Sequence, residues 1–413
     1  MRTTIIPKAP PEETCTVPSS IRVPWQQYAG VYLLLFLIGT ETFIVAPLLP
    51  TIAASLRVTE TAAAATVAAY TVAYAVTAPF LGVVTDRFGR YPMIMLGAAL
   101  FLLGNVGAAL SGALPMLMGA RILGAVGAAA AGPAIWAHLA ETAPESARGR
   151  AVGTGNALFA AGQVFGVPAG AFLAGAADWR SSFWVLGGLS ALVLPICLAT
   201  TRVLARRSAH RPQPLHLLCI FVVWKDGVLR HALIVVVLLH AANLGSYTFL
   251  GVLLHQRFGL SVQSLGLLGL LVGIGSAAGS LTAGRIGDRA RAAGGGGARW
   301  LPVWCLLLGL GVVVAVTGSP AWLSYAATLV WFFASGAFVT VVQTLLLDRR
   351  PELGASSNSW NTALLYAGTA TGVWLIGLFP DVRLGMLFIG GGLAVLAALL
   401  AMPLGLPARR DHR

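Results

Sequence analysis

The sequence predicts an all-α integral membrane protein with twelve transmembrane helices in two pseudo-symmetric halves of six. Three observations predict it. First, hydrophobic residues make up 57% of the 413 residues and charged residues only 10%, with a mean hydropathy of +0.82. A soluble domain is about 25% charged, so a soluble enzyme, a disulfide scaffold and a disordered chain are all excluded. Second, the apolar residues gather into twelve runs near or above the roughly 20 residues a helix needs to cross a bilayer. Third, the basic residues, which give a net charge of +13, sort by side. With the N-terminus placed in the cytoplasm, 22 Lys and Arg fall in cytoplasmic segments and 4 in external loops, and Arg121 alone lies within a span. This is the positive-inside pattern, and it replaces nucleic-acid binding as the reason for the charge.

The segments follow in order. Residues 1–27 form a polar, Pro-rich cytoplasmic N-tail. The first half, 28–201, holds spans at about 28–49, 61–85, 91–110, 114–139, 151–177 and 181–201. Residues 202–230 form a basic central cytoplasmic loop with an apolar middle at 215–224, read as a linker between halves or a segment lying on the membrane surface. The second half, 231–407, holds spans at about 231–256, 261–284, 300–317, 322–347, 355–380 and 384–407. Residues 408–413 form a cytoplasmic C-tail. Helices are the expected element because lipid offers the backbone no hydrogen-bond partners. A weak internal repeat supports two halves. Gly82-x-x-x-Asp86-Arg87 recurs as Gly284-x-x-x-Asp288-Arg289, and Gly162-x-x-x-Gly166 recurs as Gly368-x-x-x-Gly372, at offsets of 202 and 206.

The chemistry-bearing residues are few. Glu41 is the only carboxylate well inside a span, and an acid in such a place marks an ion or proton path. Arg121 is the only intramembrane arginine. Glu41 lies about eight residues from the outer end of span one, and Arg121 about seven from that of span four. At 1.5 Å per residue both sit roughly 10–12 Å below the outer boundary, so they can pair if the helices are neighbours. His240, Asn243 and Tyr247, at i, i+3 and i+7, share one face of span seven. This stripe fits a substrate-lining surface or interhelical hydrogen bonding. Asn105, Gln163 and Gln343 are lone amides. Gly153, Gly155, Gly162, Gly166 and Gly170, with Pro168, crowd span five and fit close packing and bending. The turn after span two reads Gly82-Val-Val-Thr-Asp86-Arg87-Phe-Gly89-Arg90-Tyr91, where Gly82 suits close approach, Gly89 a tight turn and Asp86 a breakable contact at a helix end. The cysteines have no metal-binding spacing, and no Walker, GxSxG or HExxH motif occurs.

That turn resembles the signature of the major facilitator superfamily, G-x-x-x-D-R-x-G-R-[RK], with Tyr91 at the last position. Glu41-Thr-Phe-Ile-Val-Ala-Pro47-Leu-Leu-Pro50 resembles the first-helix motif of the twelve-helix drug:proton antiporters. Arg121-Ile-Leu-Gly-Ala-Val-Gly127 resembles their fourth-helix motif R-x-L-Q-G-x-G, with Gly124 and Ala125 in place of Gln-Gly. Gly153, Gly162, Gly166 and Pro168-Ala-Gly170 resemble the antiporter motif of the fifth helix. With Asp178-Trp179-Arg180-Ser-Ser-Phe183-Trp184 after it, this part is similar to bacterial arabinose-efflux, purine-efflux and chloramphenicol-resistance permeases. The resemblance implies a cavity between the halves lined by helices one, four, seven and ten, alternating access, and a gate at the Asp86 turn. It also implies export. Glu41 and Arg121 would couple protons, while His240, Asn243, Tyr247 and Gln343 would line the cavity.

The expectation is a proton-coupled exporter of a small organic compound in the bacterial cytoplasmic membrane, with both termini inside. It would be monomeric, bind no nucleic acid, and use the proton gradient with no cofactor. An importer or facilitator on the same fold, a transport-inactive sensor or scaffold, and a lipid or glycan enzyme are the alternatives. The last two lack a sizeable soluble domain and a catalytic cluster, respectively.

Overall fold

The computed structural model describes residues 25–144, 147–205, 217–293, 296–350 and 353–405. Twelve long helices run through these residues, with no strand among them. The first six are α1 (Ala29–Leu56), α2 (Glu60–Phe88), α3 (Arg90–Ala109), α4 (Leu114–Thr142), α5 (Arg148–Ala176) and α6 (Trp179–Ala205). The second six are α7 (Gly227–Phe258), α8 (Val262–Ala292), α9 (Leu301–Thr317), α10 (Ala321–Arg349), α11 (Gly354–Gly377) and α12 (Val382–Gly405). Eleven of them are long and apolar enough to cross a membrane. The exception, α11, opens with the polar run Gly-Ala-Ser-Ser-Asn-Ser-Trp-Asn. Most of the tails and residues 206–216 of the central loop lie outside the described residues.

Successive helices alternate in direction. The face where α1 begins is here termed the basic face, because most arginines cluster there, and the opposite one the distal face. Several helices overrun their expected spans. Span one was expected to end near residue 49, yet α1 continues through Pro47 and Pro50 to Leu56 and stops at Arg57, in the left-handed region at φ 54. Likewise α2 continues through Asp86 and Arg87, so the expected loop is a single turn residue, Gly89. Its φ of 94 explains a glycine there. Side-chain caps fix other starts: Thr59 accepts from the Ala62 N–H, Ser261 from that of Ser264, and Asp226 from those of Val228 and Leu229.

The repeat seen in sequence is a repeat of packing. In α5, a Cβ on Gly162 would lie 2.0 Å from the Phe36 carbonyl oxygen of α1, and one on Gly166 would lie 2.0 Å from the Thr40 hydroxyl. In α11, a Cβ on Gly368 would lie 2.4 Å from the Val237 carbonyl oxygen of α7, and one on Gly372 would lie 2.1 Å from that of Ala241. Each GxxxG therefore seats its helix against the first helix of its own half. Ion pairs repeat too. Arg90 holds Glu141 at 2.7 Å, joining the start of α3 to the end of α4. Arg291 reaches Asp348 at 3.5 Å, joining the end of α8 to that of α10.

The halves meet most closely toward the distal face. Glycines 266, 269 and 273 of α8 press on Ala171, Val167 and Val164 of α5, Gly251 of α7 sits on Ala46 of α1, and Gln256 donates to Glu60 at 2.5 Å. Toward the basic face, Gly149 and Gly153 of α5 and Gly284 and Gly287 of α8 have nothing within 4 Å of a Cβ position. The described part of the central loop, Leu217–Lys225, is a 3₁₀ segment docked on α11. Trp360 donates to the Ile220 carbonyl at 2.7 Å and meets the Trp224 ring edge-on at 5.2 Å. Burial pushes the Asp226 carboxyl up, but the Leu229 N–H, the Arg350 guanidinium, the Val228 N–H and the Arg349 charge outweigh it, so the group lies below its ordinary value.

Two predictions follow from this packing. Gly162→Ala and Gly368→Ala force a Cβ into a carbonyl and each should cost about 1–3 kcal/mol, whereas Gly153→Ala should leave thermal stability in detergent unchanged or raised. Because the folded value of Asp226 is lowered, its contribution is present above the ordinary carboxylate range and is lost as pH falls. Asp226→Ala should therefore lower the melting temperature at neutral pH and flatten the acid side of a melting-temperature profile.

Candidate functional site

The site is built where α1, α2 and α4 of the first half meet α7, α10 and α11 of the second. Glu41 and Arg121 do pair: Nη1 of Arg121 donates to Oε1 of Glu41 at 2.6 Å, and each side chain is 2% exposed. Equal depth on antiparallel neighbours is what brings them together. Close backbone approach lets α4 present its arginine, since Gly97 and Gly104 of α3 pack onto Gly127 and Gly124 of α4. Gly124 does more, because a Cβ there would stand 3.1 Å from Oε1 of Glu41. A glutamine at this position, as in the motif the segment resembles, would compete for the space the carboxylate occupies.

Tyr70 of α2 closes the pair from the side. The Arg121 Cζ lies 4.2 Å from the centre of its ring, a cation–π contact that gains strength when the cation is desolvated. Its hydroxyl faces the carboxylate without making a hydrogen bond of good geometry. Behind it, Tyr366 of α11 lies 6.4 Å from Tyr70 and 4.1 Å from Tyr74, ring centre to ring centre.

The α7 stripe faces α10, and only Tyr247 of its three residues lines a cavity. A His240 ring nitrogen, Nδ1, donates to the Val236 carbonyl at 2.9 Å, and the ring stands edge-on to Phe338 of α10 at 6.2 Å. Asn243 is held at both ends by α10: its Nδ2 donates to Ser335 Oγ at 2.7 Å and its Oδ1 accepts from Trp331 at 2.7 Å. This is the interhelical geometry weighed for the stripe. Tyr247 meets Phe43 of α1 at 5.6 Å and Phe332 of α10 at 5.3 Å. With Thr42, Thr71, Leu244, Tyr366 and Thr369 it lines a cavity of about 20 Å³, room for about one water. The structure does not bring Gln343 to this cluster. It is exposed on α10, eight residues or about 12 Å toward the basic face from Ser335. Asn105 donates to its own helix at Phe101 O.

At the basic face, Arg90 binds Glu141 with two nitrogens, Arg87 is exposed beside the Phe88 ring, and Gly82 has only Ser359 in ordinary contact with its Cβ position. The side chain of Asp86 lies outside the described residues. Among the antiporter-helix residues, Gly162, Gly166 and Gly170 pack on Phe36, Thr40 and Ile44 of α1, and Pro168 packs on α8, while Gly153 faces open space. A π-helical turn at Gly162–Gly166 precedes Pro168. A proline removes one N–H and crowds the carbonyl four residues back, and a wider turn relieves both. At the distal face, Arg180 gathers Asp178, Ser55 and the Ser111 carbonyl. Among the described residues, no cluster of His, Cys, Asp and Glu could hold a metal.

The chain belongs to the Major Facilitator Superfamily, which it matches over residues 31–373. It is therefore a multi-pass membrane protein of a transporter family. It is 28% identical over 349 residues to the uncharacterized MFS-type transporter YceJ of Bacillus subtilis, covering 83% of this chain and 86% of that one. It is 27% identical over 378 residues to a chloramphenicol resistance protein of Streptomyces lividans, covering 88% and 92%. Among solved structures, a D-xylose–proton symporter shares the fold with a TM-score of 0.69 at 19% identity, covering 93% of this chain and 98% of that one.

Removing one partner of the buried pair strands a charge, which typically costs about 3–5 kcal/mol. Arg121→Met should destabilise the protein by that order, and Glu41→Leu combined with Arg121→Met should recover most of the loss. Thermal melting of the purified variants in one detergent measures both.

Proposed function

We propose that this chain is a proton-coupled exporter of a small organic compound, working by alternating access from the bacterial cytoplasmic membrane with its basic face inward. The observation that carries this reading is the sealed Glu41–Arg121 pair, because a carboxylate is expensive inside a membrane unless it has work to do. Glu41 carries the proton. Arg121 holds the carboxylate in its ionised form and is left without its partner when Glu41 is protonated. The cavity beside Tyr247 is the contracted form of the cargo site, and His240 lies on the same face of α7 about 10 Å, two turns, toward the basic face. Gly82, Asp86, Arg87, Gly89 and Arg90 form the gate on the basic face.

Two further observations support export. One is the match over nearly all of its length to a chloramphenicol resistance protein. The other is the packing of α5 on α1 through the glycines that resemble the antiporter motif. No cofactor takes part, and the protein works as a monomer. One proton entering down 100 mV supplies about 2.3 kcal/mol, enough to sustain a cargo ratio of about 50-fold.

The test uses everted membrane vesicles from a strain lacking its own exporters and a panel of antibiotics led by chloramphenicol. Accumulation of at least one compound should collapse when the proton gradient is dissipated, and should be lost in Glu41→Gln at an unchanged protein level. Full gradient-driven accumulation by Glu41→Gln would refute the coupling role.

A further inference from the structure

Three buried polar atoms around the ion pair make no hydrogen bond of good geometry: Oε2 of Glu41, Nε of Arg121 and the hydroxyl of Tyr70, which lies beside the carboxylate. Leaving such a group unmet is costly, and here three belong to side chains in mutual contact. They come from three helices, so no single helix's geometry explains them. A water among them would bond all three, with the carboxylate accepting, the guanidinium donating and the phenol doing either.

Tyr70 is the member of this group that also reaches the other half of the molecule. One face of its ring carries the Arg121 guanidinium, at 4.2 Å, and its surroundings include Tyr366 of α11 at 6.4 Å. Tyr366 in turn leans on Tyr74, one turn along α2, at 4.1 Å. The α2–α11 contact joins the two halves, so any motion between them acts on the ring that holds the arginine. The titratable or charged groups facing Glu41 are Arg121 from α4, Tyr70 from α2 and Tyr366 from α11. From α7, Tyr247 stands beyond Phe43, and α5 meets α1 here through Gly162 and Gly166.

We propose that Tyr70 is the positioning residue of the proton site: its ring fixes Arg121 on Oε1 of Glu41, and its hydroxyl, through one water, presents Oε2 to the entering proton. This rests on Glu41 being the proton carrier. The proton passes from water to Oε2, and the carboxylate becomes a neutral acid whose C=O or O–H stays bonded to the Tyr70 hydroxyl through that water. Arg121 keeps its charge and is left with the tyrosine face as its remaining partner. When α11 moves off α2, Tyr366 withdraws and Tyr70 is free to release the arginine. The state of the halves thereby reaches the carboxylate through one side chain.

The test needs no cargo. The full chain is reconstituted in vesicles of phosphatidylethanolamine and phosphatidylglycerol, and infrared difference spectra are taken on acidification. Wild type should show a protonated-carboxyl band together with a tyrosine band. Glu41→Gln should lack the buried-carboxyl component and the tyrosine band, keeping only the bands of the exposed acids. Tyr70→Phe, which keeps the ring, should retain the carboxyl band but at higher frequency, as for a carboxyl that has lost a hydrogen bond, and should lack the tyrosine band. Tyr366→Phe should resemble wild type. A carboxyl band unmoved in Tyr70→Phe overturns the proposal. So does a wild-type spectrum with a carboxyl band and no tyrosine band, which needs no variant to fold. A buried-carboxyl component that survives unchanged in Glu41→Gln instead removes the proton carrier itself and is a separate failure.

Discussion

A carboxylate and a guanidinium sharing a dry site inside the bundle is the constraint to which the first half is fitted. Neither charge is tolerable alone in low dielectric, and together they hold only if the geometry is good and nearby polar groups are met. Several surrounding features answer the demand on geometry, while Oε2 of Glu41, Nε of Arg121 and the Tyr70 hydroxyl stay without a hydrogen bond of good geometry. Gly124 leaves the carboxylate its space, glycines bring α3 onto α4, and the Tyr70 ring covers the cation. Two prolines in α1 leave the helix intact, and the chain carries Glu41 deep within it rather than near its end.

Around this pair the protein is assembled by small residues rather than by hydrophobic contrast, since lipid is as apolar as leucine. The same contact is made twice, α5 on α1 and α11 on α7, by GxxxG motifs about one half-length apart. That symmetry leaves the two halves as separate bodies that meet along α1–α7, α2–α11 and α5–α8. Only some of those seams are tight. The distal part of α5–α8 is glycine-packed, whereas the Cβ positions of Gly149, Gly153, Gly284 and Gly287 toward the basic face meet no neighbour within 4 Å.

Much of the fold was legible in sequence because a membrane punishes exceptions. Twelve apolar runs and a one-sided distribution of arginine give the span order with no reference to packing. Glu41 and Arg121 were legible for the same reason, being rare charges at matching depth. What stayed hidden was direction around the helix axis. Asn243 carries the polarity of a cavity residue, but Trp331 and Ser335 of α10 take up its amide. Gln343 shares a helix with them and lies too far toward the basic face to join them. Tyr70, Tyr74 and Tyr366 stay inconspicuous in sequence because a tyrosine is an uncharged aromatic that packs in apolar spans. The signal available was the i, i+4 pair Tyr70–Tyr74 in a stretch, 61–78, otherwise made of Ala, Val and Thr. Helix ends moved because the spans were set by apolar runs ending near residues 49 and 85, while the helices run on to the positive-φ residues Arg57 and Gly89.

The account stands on Glu41 being the group that takes up a proton within the membrane. Current transients after a pH jump, recorded from protein reconstituted on a solid-supported membrane without cargo, test that directly. Wild type should give a capacitive transient as protons enter the site, and Glu41→Gln, equally reconstituted, should give none. Transients of the same size in both proteins would contradict it.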